Sequence, residues 1–363
     1  MSDVKVESLT VSAYTVPTDA PESDGTMKWD STTMILAEAT GGGERGLGYT
    51  YGDVSTGKLI ESKLAAVARG QDAMNVQASW AAMQRALRNA GRPGVGAMAV
   101  AAVDVALWDL KARLLGLPLA DLLGRFHGGV PVYGSGGFTS YSVERLREQL
   151  SGWVAAGIPR VKMKVGRDPE QDLGRVIAAR EAIGPDAELM VDANGAYTPK
   201  QALDKARGFS RLGVSWYEEP VSSDDLEGLR LIREQGPAGM EVAAGEYGYD
   251  VFHFRRLLEA GAVDVLQADV TRCAGITGLL KADALCKAHN VALSAHCAPQ
   301  IHAHACCAAE MLIHCEYFHD HARIEGMLFD GALTPEDGVL TPEESSPGLG
   351  IELRRADAER YAA

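Results

Sequence analysis

Seven residues recur along the last two thirds of the chain at a spacing that would bring them to one mouth: Lys164, Asp192, Glu218, Glu246, Asp269, His296 and Glu316. Each closes a short run of β-branched and apolar residues, and the separations are 28, 26, 28, 23, 27 and 20 residues. That interval fits one strand, a loop and a helix. A single acid in such a place is ordinarily the N-cap of the next helix. Seven consecutive units ending in Lys, four acids, His and an acid are not accounted for by capping. Asp192, Glu218 and Glu246 fall on successive units, so their carboxylates can meet around one centre. They cannot all stay ionised there without a cation. Oxygen ligands with room for water and substrate select a hard ion, Mg²⁺ or Mn²⁺, over zinc.

Bases flank the acids. Lys162 and Lys164, two apart in VKMKV, share one face of a strand. In a closed barrel that face is the interior, where two lysines are costly without a purpose. Mutual repulsion and partial burial are expected to lower both pKa values, and a lysine base near neutrality needs a drop of about 3. On the other side, Asp269 can fix the tautomer of His296 and raise the basicity of its second nitrogen.

The elements that must position these groups follow from the pattern. Residues 4–14, 32–39 and 46–51 read as strands, with Gly41-Gly42-Gly43 as a turn and residues 17–30 as a polar loop. Residues 58–90 turn helical. A long apolar helix then runs over residues 95–115, stopped by Gly116 and Pro118. From about Val130, β-branched runs alternate with helical segments seven or eight times, which implies a parallel sheet closed into a barrel. The expected class is α/β: a modified TIM barrel, (β/α)7β, over residues 127–320. An α+β capping domain precedes it over residues 1–126, and residues 321–363 return to that cap with a final strand in GIELR.

Composition narrows the partners. The net charge of -14 offers no basic stripe for nucleic acid or anionic membrane. The N-terminus MSDVKVESLT has no apolar signal core, and no apolar run reaches 18 residues, so a cytoplasmic protein is expected. The six cysteines lack CxxC spacing and read as reduced thiols. GSGGF at 134–138 lacks the surroundings of a dinucleotide fingerprint. The His302-Ala-His304 and His319-Asp-His321 pairs would point their rings apart on a helix. Cys297, next to His296, is expected to face away from the imidazole, because successive strand residues alternate.

Together VKMKV, VDANG, YEEP, AAGE, the Asp269–His296 pair and Glu316 resemble the mandelate racemase subgroup of the enolase superfamily. The resemblance spans nearly the whole chain, including ALWDLKARLLGLPLADLLG in the N-terminal third. It implies that Asp192, Glu218 and Glu246 hold Mg²⁺, with Glu218 rather than Glu219 as the ligand. It also implies that Lys164 and the His296–Asp269 pair are the two acid/base groups, and that Lys162 is an electrostatic partner of the substrate carboxylate. Glu316, taken as protonated, would hydrogen-bond a carboxylate oxygen, and Asn194 would be a polar contact near the metal. Residues 20–30 match in position a mobile loop over the mouth, from which Trp29 and Lys28 would reach substrate. The expected activity is Mg²⁺-dependent removal of the proton beside a substrate carboxylate. The favoured outcome is dehydration of an aldonate or aldarate to a 2-keto-3-deoxy acid, with racemisation or epimerisation of an α-hydroxy acid as the alternative. A symmetric homo-oligomer, up to an octamer, is also implied.

Overall fold

A computed structural model describes residues 4–363; Met1, Ser2 and Asp3, which begin the segment read above as lacking a signal core, lie outside the described residues. The chain opens with three antiparallel strands in the order β1 (Ser8–Ser23), β2 (Lys28–Gly41) and β3 (Glu44–Tyr51). The segment expected as a loop over residues 17–30 is therefore mostly strand. β1 continues past Pro17 to pair Glu22 with Trp29 after a register shift. Proline and polar residues read as loop, but β1 is a sheet edge, where a missing N–H and a wet face are tolerated. Only residues 24–27 turn, held by Asp24 Oδ1, which accepts from the Thr26 and Met27 amides, both at 2.6 Å.

The tip of this hairpin rests on the barrel. A Cβ added to Gly25 would lie 2.4 Å from the Ala193 carbonyl oxygen and 2.8 Å from that of Val165. Only glycine allows so close an approach. Behind the sheet lies the helix Val95–Leu115, ended by Gly116 in the left-handed conformation. Its all-round apolar character reflects burial on several sides, and its two buried acids tie other elements to it. Asp104 accepts from the Thr277 amide and hydroxyl, at 2.9 and 2.7 Å. Asp109 accepts from the amides of Leu47 and Leu349 and from Arg113. Among the described residues no helix is long and apolar enough to cross a membrane.

Eight parallel strands then form the barrel: β4 (Val130–Gly136), β5 (Arg160–Lys164), β6 (Glu188–Asp192), β7 (Val214–Glu218), β8 (Glu241–Ala244), β9 (Val265–Ala268), β10 (Ala292–Ala295) and β11 (Leu312–Phe318). Neighbours pair in chain order, and β11 closes on β4, with Glu316 opposite Tyr133. Seven helices alternate with them, giving (β/α)7β. Inside, Tyr133, Met190, Trp216, Ala243 and Val265 form a separate buried cluster, a packed floor beneath the mouth.

After β11 comes the helix His319–Leu328, and the expected final strand shrinks to Glu352–Leu353, paired with Phe329–Asp330. Glu325 in that helix is buried against the cap: Tyr49 Oη donates to it at 2.6 Å, and the Gln300 amide at 3.1 Å. Burial pushes the Glu325 carboxyl up to about 8, despite donors from Tyr49, Gln300 and Tyr51. The folded state thus holds this proton more tightly than the unfolded chain. The group's contribution to stability is fully present below about pH 4.3 and is lost as pH rises towards 8. Glu325→Gln cannot ionise. It is expected to remove about 2–3 kcal/mol of the stability difference between pH 6 and pH 9. Denaturant unfolding at the two pH values measures it, and an unchanged difference would contradict a buried ionisable Glu325.

Candidate active site

The barrel register carries the spaced residues to one end. Lys164, Asp192 and Glu218 are the last residues of β5, β6 and β7; Asp269 and His296 follow β9 and β10 directly; Glu246 lies two past β8 and Glu316 two before the end of β11. All of them are buried, as is Lys162. Asp192, Glu218 and Glu246 each offer an oxygen within 4.8 Å of the others. Lys164 flanks this arc on β5, and the Asp269–His296 pair flanks it on β9 and β10.

Close contacts knit the groups together. Lys164 Nζ donates to Asp192 Oδ2 at 2.5 Å. Lys162 Nζ lies 2.7 Å from both Glu218 oxygens and 2.9 Å from Glu316 Oε1, and sits 5.1 Å above the Tyr133 ring. His296 Nδ1 is 2.8 Å from Asp269 Oδ2, whose other oxygen accepts from the amide and hydroxyl of Thr271. His296 Nε2 points inward, 3.4 Å from Glu246 Oε2 and 3.6 Å from Glu316 Oε2.

Several expectations need correction. The two lysines are not held low. Burial alone would lower Lys162, but Glu218, Glu316 and Asp192 outweigh it and push its pKa well up; Asp192 does the same for Lys164. Spacing along one strand sets the two lysines against each other, whereas the acids that face both lie on other strands. Glu316 is not protonated: Lys162 and His296 overcome its burial and hold the carboxyl well below its usual range. His296 is raised, because Glu246, Glu316 and Asp269 outweigh desolvation, so the imidazolium is favoured. Glu218 is pushed up to about 8 by burial and by Asp192.

Cys297 does not face away. Its Sγ is 3.3 Å from His296 Nε2 and 3.3 Å from Glu316 Oε2, and its amide donates to Glu316 at 3.0 Å. The strand ends at Ala295, and Cys297 and Ala298 take positive φ, so strand alternation no longer applies. Other site groups escaped the sequence reading. Ser135 donates to Glu316 at 2.5 Å, Trp216 Nε1 to Glu218 at 2.9 Å, and Arg272 to Glu246 at 3.1 Å. Ser135 and Trp216 carry no charge to advertise them, although Trp216 lies two before Glu218 and so shares its face. The His302-Ala-His304 rings do part: His302 Nε2 accepts from the Val270 amide, and its Nδ1 faces the Cys297 carbonyl.

Asn194 lies at the mouth in the left-handed conformation, its amide bonded to Asp192 at 2.9 Å and its Oδ1 buried without a partner. Lys28 and Trp29 are not among the acids. They line an adjoining cavity of about 560 Å³ with Glu22, Thr139, Ser140 and Arg167. The Trp29 indole is engaged by Glu22 at 2.8 Å and by the edge of Phe138.

The donor set fits a divalent ion. Six acids, Asp192, Glu218, Glu219, Glu246, Asp269 and Glu316, face four cationic groups, Lys162, Lys164, Arg272 and His296; were all six ionised, two negative charges would lack a partner, and without a cation burial and the neighbouring acids push Glu218 and Glu219 up. Glu246 Oε2 is also buried without a hydrogen-bond donor. A hard ion among carboxylate oxygens answers both.

Comparison with known proteins agrees. Residues 10–124 match the family profile "Mandelate racemase / muconate lactonizing enzyme, N-terminal domain", and residues 145–358 match "Enolase C-terminal domain-like". The 3,6-anhydro-alpha-L-galactonate cycloisomerase of Streptomyces coelicolor is 31% identical over 96% of this chain and 98% of its own length. The L-talarate/galactarate dehydratase of Salmonella typhimurium is 30% identical over 96% of this chain and 89% of its own. A mandelate racemase/muconate lactonizing enzyme-like protein from Rubrobacter xylanophilus superposes with a TM-score of 0.98 at 68% identity, over 99% of this chain and 100% of that one. A Streptomyces coelicolor racemase solved with bound magnesium gives 0.92 at 31%, over 99% and 100%. The chain is a magnesium-dependent member of the enolase superfamily and belongs to its mandelate racemase/muconate lactonizing enzyme subgroup.

Proposed function

We propose that the enzyme dehydrates an aldonate or aldarate to a 2-keto-3-deoxy acid, after removing the proton beside the carboxylate. The observation that carries this reading is the set of buried acceptors without donors at the mouth, Asn194 Oδ1 and Glu219 Oε1. Such oxygens are costly unless a hydroxyl comes to them. A polyhydroxylated chain supplies hydroxyls; an aryl group does not. The dehydratase among the relatives supports the same reading.

Asp192, Glu218 and Glu246 would hold Mg²⁺. When bound, it supplies positive charge against the substrate carboxylate and α-hydroxyl and offsets the field that holds both lysines protonated. Lys164 and His296 approach from the two flanks of the acid arc. Lys164, in its neutral form, takes the α-proton and becomes the ammonium. Imidazolium His296, steadied by Asp269, gives a proton to the departing β-hydroxyl, and the resulting enol becomes the 2-keto acid. Lys162, already paired with Glu316 as carboxylate, stabilises by charge the second negative charge that the substrate carboxylate takes on when its α-proton leaves. The same residues serve racemisation if the proton returns to the α-carbon from the other face. They serve cycloisomerisation if a ring oxygen departs, an outcome supported by the Streptomyces relative. Six unpaired, buried thiols support a reducing, cytoplasmic setting.

A screen of aldonic and aldaric acids with Mg²⁺, read as 2-keto acid formed, is expected to find a substrate among acyclic acids. Product from lactones or anhydro acids alone would move the assignment to cycloisomerisation, and α-epimers without 2-keto acid would move it to racemisation. In deuterium oxide, Lys164→Ala and His296→Asn are each expected to abolish label exchange at the α-carbon of one stereochemical series and to cut turnover by about 10²–10⁴. Mass spectrometry and NMR of the recovered acid measure this, and full exchange in either variant would remove that residue from the acid/base role.

A further inference from the structure

Where β1 meets the helix His319–Leu328, beside the cavity that Glu22 lines with Lys28 and Trp29, a second set of ligand-type side chains comes together. Asp19, Glu22 and His319 each offer a nitrogen or oxygen within 4.8 Å of the others, although 300 residues separate Asp19 from His319. His319 Nε2 is 3.1 Å from Asp19 Oδ2, while Asp19 Oδ1 meets Arg145 at 3.3 Å. Glu22 is 1% exposed, and one of its oxygens has no hydrogen-bond partner; the other accepts from Trp29. Burial and the nearby Asp320 and Asp19 push the Glu22 carboxyl up to about 8, against weaker relief from Trp29 and Arg323. Arg323 is already spent on Asp320 and the Pro17 carbonyl. A buried acid with an open oxygen, beside an imidazole and a second carboxylate, needs either a proton or a cation.

We propose that Asp19, Glu22 and His319 bind a borderline transition ion of the Zn²⁺ or Co²⁺ class, separately from the Mg²⁺ site. One imidazole with two carboxylates suits such ions better than Mg²⁺, which favours all-oxygen ligation and retained water. Ligands about 2.0–2.2 Å from one ion lie roughly 3.5 Å apart, so a small contraction of exposed Asp19 and half-buried His319 completes the set. The ion would pin β1, just before its hairpin tip, to the helix that follows Glu316. The histidine pair at 319 and 321 does not chelate as a pair. His321 stacks on Tyr51, and His319 finds its partners on another domain.

Protein saturated with Mg²⁺ and titrated with Zn²⁺ by calorimetry, with bound zinc counted after gel filtration, is expected to take up one equivalent of zinc per chain. His319→Ala and Asp19→Asn should each take up none and keep Mg²⁺-supported α-proton exchange. Asp192→Asn should still take up one, retained at the outer site, where Co²⁺ gives a visible spectrum and a shifted His319 NMR signal. Equal melting temperatures of metal-free wild type and variants exclude unfolding as the cause of the loss. No zinc bound by the Mg²⁺-saturated wild type, or one equivalent kept by His319→Ala, overturns the proposal.

Discussion

Burying six carboxyl groups in the mouth of one barrel is the constraint to which the rest of the structure answers. In a medium of low polarity each acid costs several kcal/mol unless an opposite charge or a donor meets it. The protein meets the cost with two lysines, an arginine and a histidine, two charges short of what six ionised acids would need. That shortfall is where magnesium belongs. The resting protonation states follow from it: lysines held charged, Glu316 held ionised, Glu218 pushed up. Burial raises Glu218, and charges on other strands decide the direction for the lysines and Glu316.

The fold makes that arrangement rigid. A closed sheet has no edge, so every strand end points into one ring, and the floor of Tyr133, Met190, Trp216, Ala243 and Val265 keeps the ring from sinking. Trp216 binds the same Glu218 that Lys162 grips, so floor and site share atoms. The cap is tied to the barrel by Asp104 to Thr277 and to the C-terminal segment by Asp109 to Leu349, and it sets Gly25 on the carbonyls beside Lys164 and Asp192.

Much of this was legible in the sequence, because barrel periodicity converts spacing into position. Lys164, Asp192, Glu218, Glu246, Asp269, His296 and Glu316 are one unit apart along the chain, and the closed barrel brings them to one end. What was not legible depends on distance across the ring or on a break in regularity. The pKa of Lys164 is governed by Asp192 on the next strand, not by Lys162. Cys297 reaches His296 because positive φ ends strand alternation there. Residues 17–30 looked like a loop because an edge strand tolerates proline and polar side chains. Asp19 and His319 meet across 300 residues, a separation that no local motif encodes.

The central claim is that one divalent ion completes a site built by Asp192, Glu218 and Glu246. Calorimetric titration of Mg²⁺ into Asp192→Asn, Glu218→Gln and Glu246→Gln, with Glu219→Gln as the neighbouring control, tests it most directly. Each of the first three is expected to weaken Mg²⁺ binding by about 100-fold or more, the loss of a directly ligating carboxylate, while Glu219→Gln binds far more nearly as wild type. Wild-type affinity in any of the first three would contradict it.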